Sequence, residues 1–220
     1  MVELDRTEAR IVGVLIEKQF TVPDTYPLTE NALVAGCNQK SNRDPEMSLE
    51  PFEVAGALMA LHGRDLVARV EGGGRVAKYR HLLQERLDVS DHELAVLAEL
   101  LLRGPQAPGA LKPRVARMGF HGTPGQIEDV LRELAAKRPA LVSQLPKRPR
   151  ERDQRWGHLF GGGDVIAEDA AAEPAPRSAF APAQTPTTSS TPTAAPDVLQ
   201  RLEALEQRVA ELEARLDGRS

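Results

Sequence analysis

A single cysteine, Cys37, stands in 220 residues. That excludes an intramolecular disulfide framework and any multi-cysteine metal site, and it fits a reducing cytoplasm in which Cys37 is buried and inert. Aromatic residues are also scarce. One Trp, two Tyr and five Phe are too few for a platform that stacks the successive bases of a single strand. The five histidines, His62, His81, His92, His121 and His158, fall in five separate elements or turns, and none has the His-x-x-x-His spacing of a metal-binding helix. Cys37 has no base partner in the sequence near it, and Asp44 and Glu46 lie beside Lys40 and Arg43 as a solvated charge cluster rather than a carboxylate pair. No catalytic residue, metal or cofactor is therefore assigned, and a non-enzymatic role is expected. No apolar run approaches 18 residues, and Met1-Val2-Glu3-Leu4-Asp5 is acidic where a secretory leader is basic. The expectation is a cytoplasmic protein with no membrane partner.

What is present is a division of charge. The net formal charge is −4, but residues 1–88 hold 11 basic against 14 acidic side chains, residues 89–160 hold 12 against 8, and residues 161–220 hold 5 against 10. Only the middle third is basic, so a polyanion would meet that third first.

Hydrophobic periodicity divides the chain into two similar modules. Asp5-Arg6-Thr7-Glu8 has capping-box spacing, and Ile11, Val12, Leu15, Ile16 and Phe20 follow on one helical face. Thr29 caps a short second helix. Ser48 opens a third, with Pro51 in its first turn, a buried stripe of Val54, Ala55, Leu58, Met59 and Leu61, and Gly63 as its stop. The period then changes to that of strands, with runs 66–70 and 76–80 joined by a glycine-rich tip. No helix and no Lys-Ser/Thr pair follow those glycines, so a phosphate-binding loop is excluded there. The order recurs: a capping box at Ser90-Asp91-His92-Glu93, a short helix from Pro108 to Met118 whose start at Ala107 lacks a cap, a third helix opened by Thr123-Pro124-Gly125-Gln126, and a hairpin over 141–145 and 155–160. The predicted fold is mainly α within the α+β class: two tandem winged-helix domains, 1–88 and 89–160. An Ala/Pro-rich disordered linker over 161–196 and a coiled-coil helix over 197–217 are expected to follow. In that last segment Val198, Leu202, Leu205, Val209, Leu212 and Leu216 form a heptad seam, from which a weak, concentration-dependent homodimer is expected.

Between the second and third helices lies the most polar stretch of the first module: Asn38, Gln39, Lys40, Ser41, Asn42, Arg43 and Asp44, with Cys37 before it and Pro45 behind. Such a loop either closes its own turns or presents donors to a partner, and the structural role is the favoured reading. The run Cys37–Pro45 followed by Met47, the stretch Leu102-Arg103-Gly104-Pro105-Gln106 and the ending His158-Leu159-Phe160 resemble the YceH-like family of bacterial proteins over roughly residues 4–160. The resemblance implies a tandem winged-helix fold and no established catalytic activity, cofactor or partner. Glu46, Ala107 and Ala110 depart from the family pattern.

A helix-turn-helix reads bases with its third helix. Here the first module exposes Glu50 and Glu53 on that helix, and the second sets Glu128, Asp129 and Glu133 beside Gln126 and Arg132. The basic residues lie elsewhere: Lys112, Arg114 and Arg117 on the second module's short helix, and Lys147, Arg148, Arg150, Arg152 and Arg155 in its hairpin. Those positions suit phosphate contact with duplex DNA, which supplies affinity without sequence choice. The competing expectation is an adaptor that binds another protein through acidic winged helices and the coiled-coil tail.

Overall fold

The first helix begins where its sequence asks. The Glu8 N–H donates to the Asp5 carboxylate at 2.8 Å, and the Asp5 N–H donates back to Glu8 at 3.0 Å, which satisfies two of the donors that a helix start leaves open. From there α1 (Arg6–Thr21) runs to the 3-10 turn Pro23–Thr25. The computed structural model describes residues 2–71, 76–148 and 151–161; the linker after Gly161, the heptad segment and Arg150 lie outside the described residues. The fold is a mainly helical α+β arrangement with two small antiparallel sheets.

In the first half α1 is followed by β1 (Leu28–Thr29), α2 (Glu30–Cys37), α3 (Pro51–Gly63), β2 (Val67–Val70), β3 (Lys78–His81) and α4 (Leu83–Leu87). Strand β3 lies between β1 and β2, with Leu28 opposite Tyr79 and Val67 opposite His81. The second half repeats the main order with α5 (Asp91–Arg103), α6 (Pro108–Val115), α7 (Pro124–Ala136), β4 (Val142–Gln144) and β5 (Trp156–His158). Its sheet sets Val142 opposite His158 and gains a backbone bridge from Gln106 to Trp156. The capping boxes at Ser90/Glu93 and Thr123/Gln126 are both formed. Ala107 gives α6 no side-chain cap, and that helix passes into a 3-10 turn at Ala116–Met118.

Helices α1 and α5 pack along each other at the centre. Every residue from Ala9 to Glu17 of α1 and from Glu93 to Leu102 of α5 is buried, so these helices have no solvent face over those spans. Gly13 makes the approach possible: a Cβ there would lie 2.9 Å from Cγ of Leu102, and such crowding in a packed core is destabilising. One hydrophobic cluster runs through both halves, from Leu4 and Ile11 to Leu134 and Phe160. The two ends of this unit also meet, because the Leu4 N–H donates to the Phe160 carbonyl at 2.6 Å.

Two expectations for α3 are corrected. Its N-cap is Glu50, not Ser48, and the Glu53 carboxylate accepts the Glu50 N–H at 2.7 Å. The Asn38 side chain holds the backbone of Leu49 from both sides, at 2.7 and 2.8 Å, so the chain stays extended through 48–50 and Pro51 becomes the first helical residue. Met59 is not part of the buried stripe; it is 76% exposed. Strand β1 and helix α4 were not predicted. Among the described residues no helix is long and apolar enough to cross a membrane.

Candidate functional site

The polar loop after α2 turns inward. Arg43 is buried, and its guanidinium donates to the Gly36 carbonyl at 3.0 Å, the Asn42 carbonyl at 2.8 Å, the Gln39 side chain at 3.0 Å and both Glu17 oxygens at 2.6 and 3.3 Å. Arg10 of α1 donates to the carbonyls of Cys37 and Pro45 at 3.1 and 2.7 Å. The loop also reaches the second half: the Asp44 N–H donates to the Leu102 carbonyl at 3.0 Å, and Arg103 donates to the Asn42 side chain at 3.4 Å. Asn42 has φ 58°, a left-handed conformation that Asn tolerates better than most side chains. Lys40 and Ser41 stay exposed. All seven signature residues, Asn38 to Asp44, were singled out for hydrogen-bonding or charge. Asn38, Gln39 and Arg43 use those side chains to fasten α1, α2 and the α3 approach together, and the Asn42 side chain accepts from Arg103 of α5.

The titratable groups in the interior are arranged for packing. Burial pushes the Cys37 thiol up to about 12, the opposite of what a nucleophile needs. His81 and His158 are pushed down to about 4 by burial and are neutral at pH 7. The His81 N–H of the backbone donates to the Tyr26 hydroxyl at 2.9 Å. The His158 Nδ1 accepts the Phe160 N–H at 3.3 Å. Among the described residues no three His, Cys, Asp or Glu side chains are grouped as metal ligands.

Arg10 Nε, both ring nitrogens of His81 and Gln106 Oε1 are buried and unpaired, and Glu99 on α5 is the one buried acid among the described side chains with an unpaired oxygen. It is 3% exposed, and its Oε2 has no hydrogen-bond partner. Burial, with the Glu17 carboxylate adding to it, pushes its pKa up to about 7. The native state therefore holds a proton that the unfolded chain releases near pH 4.5, and stability falls as pH rises from about 4.5 to about 7. The expected loss is on the order of 3 kcal/mol. Urea unfolding at pH 5 and pH 8 should show it, and Glu99→Gln should remove most of that difference; an equal pH dependence in the variant would contradict the assignment.

The basic residues of the second half are not all presented to solvent. Arg155 is half-buried and donates to Glu151 at 3.1 Å, and the Arg148 N–H donates to the same carboxylate at 3.4 Å. Arg114 is half-buried, with Nη1 enclosed. Lys112, Arg117, Lys147 and Arg152 are exposed. Lys147 and Arg152 line a groove of about 430 Å³ together with Pro108 and Gly109 at the start of α6 and Pro124 and Gly125 at the start of α7. Gln144, Gln154 and Trp156 form its hairpin wall, and Glu128 and Asp153 also border it. Glu128 is held by Arg132 at 2.6 Å. Arg132 also binds Asp129 at 3.2 Å, so the exposed face of α7 is acidic and internally paired. This groove was not legible in the sequence, because it joins two helix starts, at Pro108 and Pro124, to hairpin residues as far along the chain as Trp156.

These features define a mainly helical α+β protein whose densest polar signature fastens its two halves and whose open groove lies on the second. Residues 4–151 match the family model described as "Protein of unknown function, DUF480". A UPF0502 protein of Geobacter sulfurreducens is 48% identical over 172 residues, covering 78% of each chain. One of Geotalea daltonii is 49% identical over 173 residues, covering 79% of each, and one of Azoarcus sp. (strain BH72) is 47% identical over 172 residues, covering 78% of this chain and 75% of the relative. The chain belongs to this DUF480/UPF0502 family of bacterial proteins, the one to which its signature residues pointed.

Proposed function

We propose that the protein is a non-enzymatic, tandem winged-helix protein that associates with nucleic acid through phosphate contacts made by its second half. The winged-helix reading is supported by the order of three helices and a hairpin, which occurs twice. The observation that carries the functional reading is the groove: the starts of α6 and α7 open on it beside Lys147 and Arg152. Pro108 and Pro124, the first residues of these helices, carry no N–H, so each start offers the backbone N–H of Gly109 or Gly125 with its positive dipole end, which favours an anionic oxygen, and the two cations add to that preference. Lys112 and Arg117, exposed on and just after α6, extend the basic surface. The third helices contribute no base readers, since α7 is acidic and self-paired and α3 exposes Phe52 and Met59. The contact is therefore independent of sequence. Cys37, with its thiol pushed up to about 12, supports the absence of a covalent step.

A random-sequence duplex labelled for fluorescence anisotropy tests this. The full chain should bind it at low ionic strength, and Lys147→Glu with Arg152→Glu should weaken binding at least tenfold at an unchanged melting temperature, because exposed charges contribute little to stability. Loss of two phosphate contacts should also flatten the slope of log K against log salt by about 1.8. Binding that survives the double exchange would move the contact to Lys112 and Arg117, and no binding at all would favour the second reading. That reading, an adaptor for another protein, has its own support in the apolar residues exposed on α3.

A further inference from the structure

Helix α3 buries one face and leaves the other apolar. Its buried side is Val54, Leu58 and Leu61. Its exposed side carries Phe52, Gly56, Met59, Ala60 and Gly63, which follow one another at helical spacing and form a single stripe. Phe52 is 74% exposed and Met59 76%. A surface helix normally turns charged or polar residues to water on that side, whereas here the exposed Glu53, His62 and Arg64 stand only at the flanks of the stripe. Gly56 is the second observation. It is in the middle of the helix, where glycine is unfavourable relative to alanine, and a Cβ added to it would meet nothing within 4 Å. No packing among the described residues requires the glycine. It leaves a notch between Phe52 and Met59, and Gly63, equally open, leaves another at the far end of the stripe.

We infer that this stripe is the contact face for a second copy of the chain, with two α3 helices packed antiparallel about a twofold axis near the Ala57–Leu58 level. In that arrangement Phe52 of one copy sits over the Gly63 notch of the other, and Met59 sits over the Gly56 notch. Each large side chain meets a small one twice, as an isologous contact requires. Charge favours the same orientation. The helix is acidic at its start, with Glu50 and Glu53, and basic at its end, with His62 and Arg64. An antiparallel partner lays the acidic end of each helix beside the basic end of the other, and a parallel one would set like ends together. Glu53 and Arg64 share one flank of the stripe, so they are the charges that approach. Arg64 keeps its ion pair with Glu8 and its bond to the Glu3 carbonyl, yet its side chain is 41% exposed and still available to a second carboxylate. A helix of this length is about 20 Å long, and a pair of such faces buries less than the roughly 800 Å² per partner of a standard interface. The dimer is therefore weak and concentration-dependent.

Sedimentation of the full chain over a wide concentration range tests the inference. The chain should pass from monomer to dimer, and Gly56→Met should weaken that association at least tenfold without lowering the melting temperature, since a Cβ at this position meets nothing within 4 Å and a mid-helix glycine is itself unfavourable. Met59→Gly should weaken it similarly. Combining Gly56→Met with Met59→Gly exchanges knob and notch across the twofold and should restore most of the association, a rescue that an unrelated surface effect would not give. A dimer that none of these variants alters would place the association elsewhere, including the heptads of 198–216, and would overturn the inference. A chain that stays monomeric into the millimolar range would assign the stripe to a different protein and overturn it as well.

Discussion

Replacing Arg43 by alanine is expected to lower stability by about 3–5 kcal/mol, the usual loss when one partner of a buried ion pair is removed. The reason is the company Arg43 leaves behind. Its Nη2 lies 2.6 Å from Glu17, whose side chain is 4% exposed, and without the guanidinium that carboxylate is enclosed near Glu99, a second buried acid. The carbonyl of Gly36 and the side chain of Gln39 lose a donor in the same step. Arg43→Lys should recover little, because a single ammonium cannot reproduce a planar fork with five donors. Urea unfolding of Arg43→Ala, Glu17→Ala and the double variant checks the assignment. Clear non-additivity is expected for groups in direct contact, and a loss below about 1 kcal/mol for Arg43→Ala would mean that the loop is not a clamp.

The second large effect is expected at the other end of the described unit. Phe160 is 1% exposed, follows a hairpin strand and holds the N-terminal segment through its carbonyl. Phe160→Ala removes a large fully buried side chain and should cost about 3–5 kcal/mol. Since one hydrophobic cluster includes Leu4 and Ile11 as well as Leu134 and Phe160, the loss should appear in a single transition seen alike by far-ultraviolet circular dichroism and by the fluorescence of Trp156. Two separated transitions would show that the halves unfold independently.

Much of this fold was legible because short-range rules govern it. The boxes at Asp5/Glu8, Ser90/Glu93 and Thr123/Gln126 mark three helix starts, and each is formed as its spacing indicates. The missing cap at Ala107 was equally readable. The start of α3 was not, because the deciding bond comes from Asn38, 11 residues earlier, to the backbone of Leu49. Met59 was misplaced for a different reason. In a helix that is apolar nearly all round, periodicity cannot say which apolar face is inside, and the exposed Met59 looks the same in sequence as the buried Leu58. The polar loop was legible as a feature and, in part, as a device. Its composition pointed to local turns, whereas Arg10, Glu17 and Leu102, which complete its bonds, come from helices remote in sequence. The residues proposed for phosphate contact were chosen by charge alone. Charge does not distinguish Lys147 and Arg152 on an open groove from Arg155 held by Glu151.

Among the described residues, the groove of the second half and the apolar face of α3 are the surfaces on which the two proposals rest. The most direct measurement of the central claim is the affinity of the full chain for a random-sequence duplex across a salt series. The account predicts binding at low ionic strength that weakens linearly in log salt, is indifferent to base sequence, and loses slope when Lys147 and Arg152 are reversed. Absence of binding at the lowest salt, or binding whose strength does not change with salt, would contradict it.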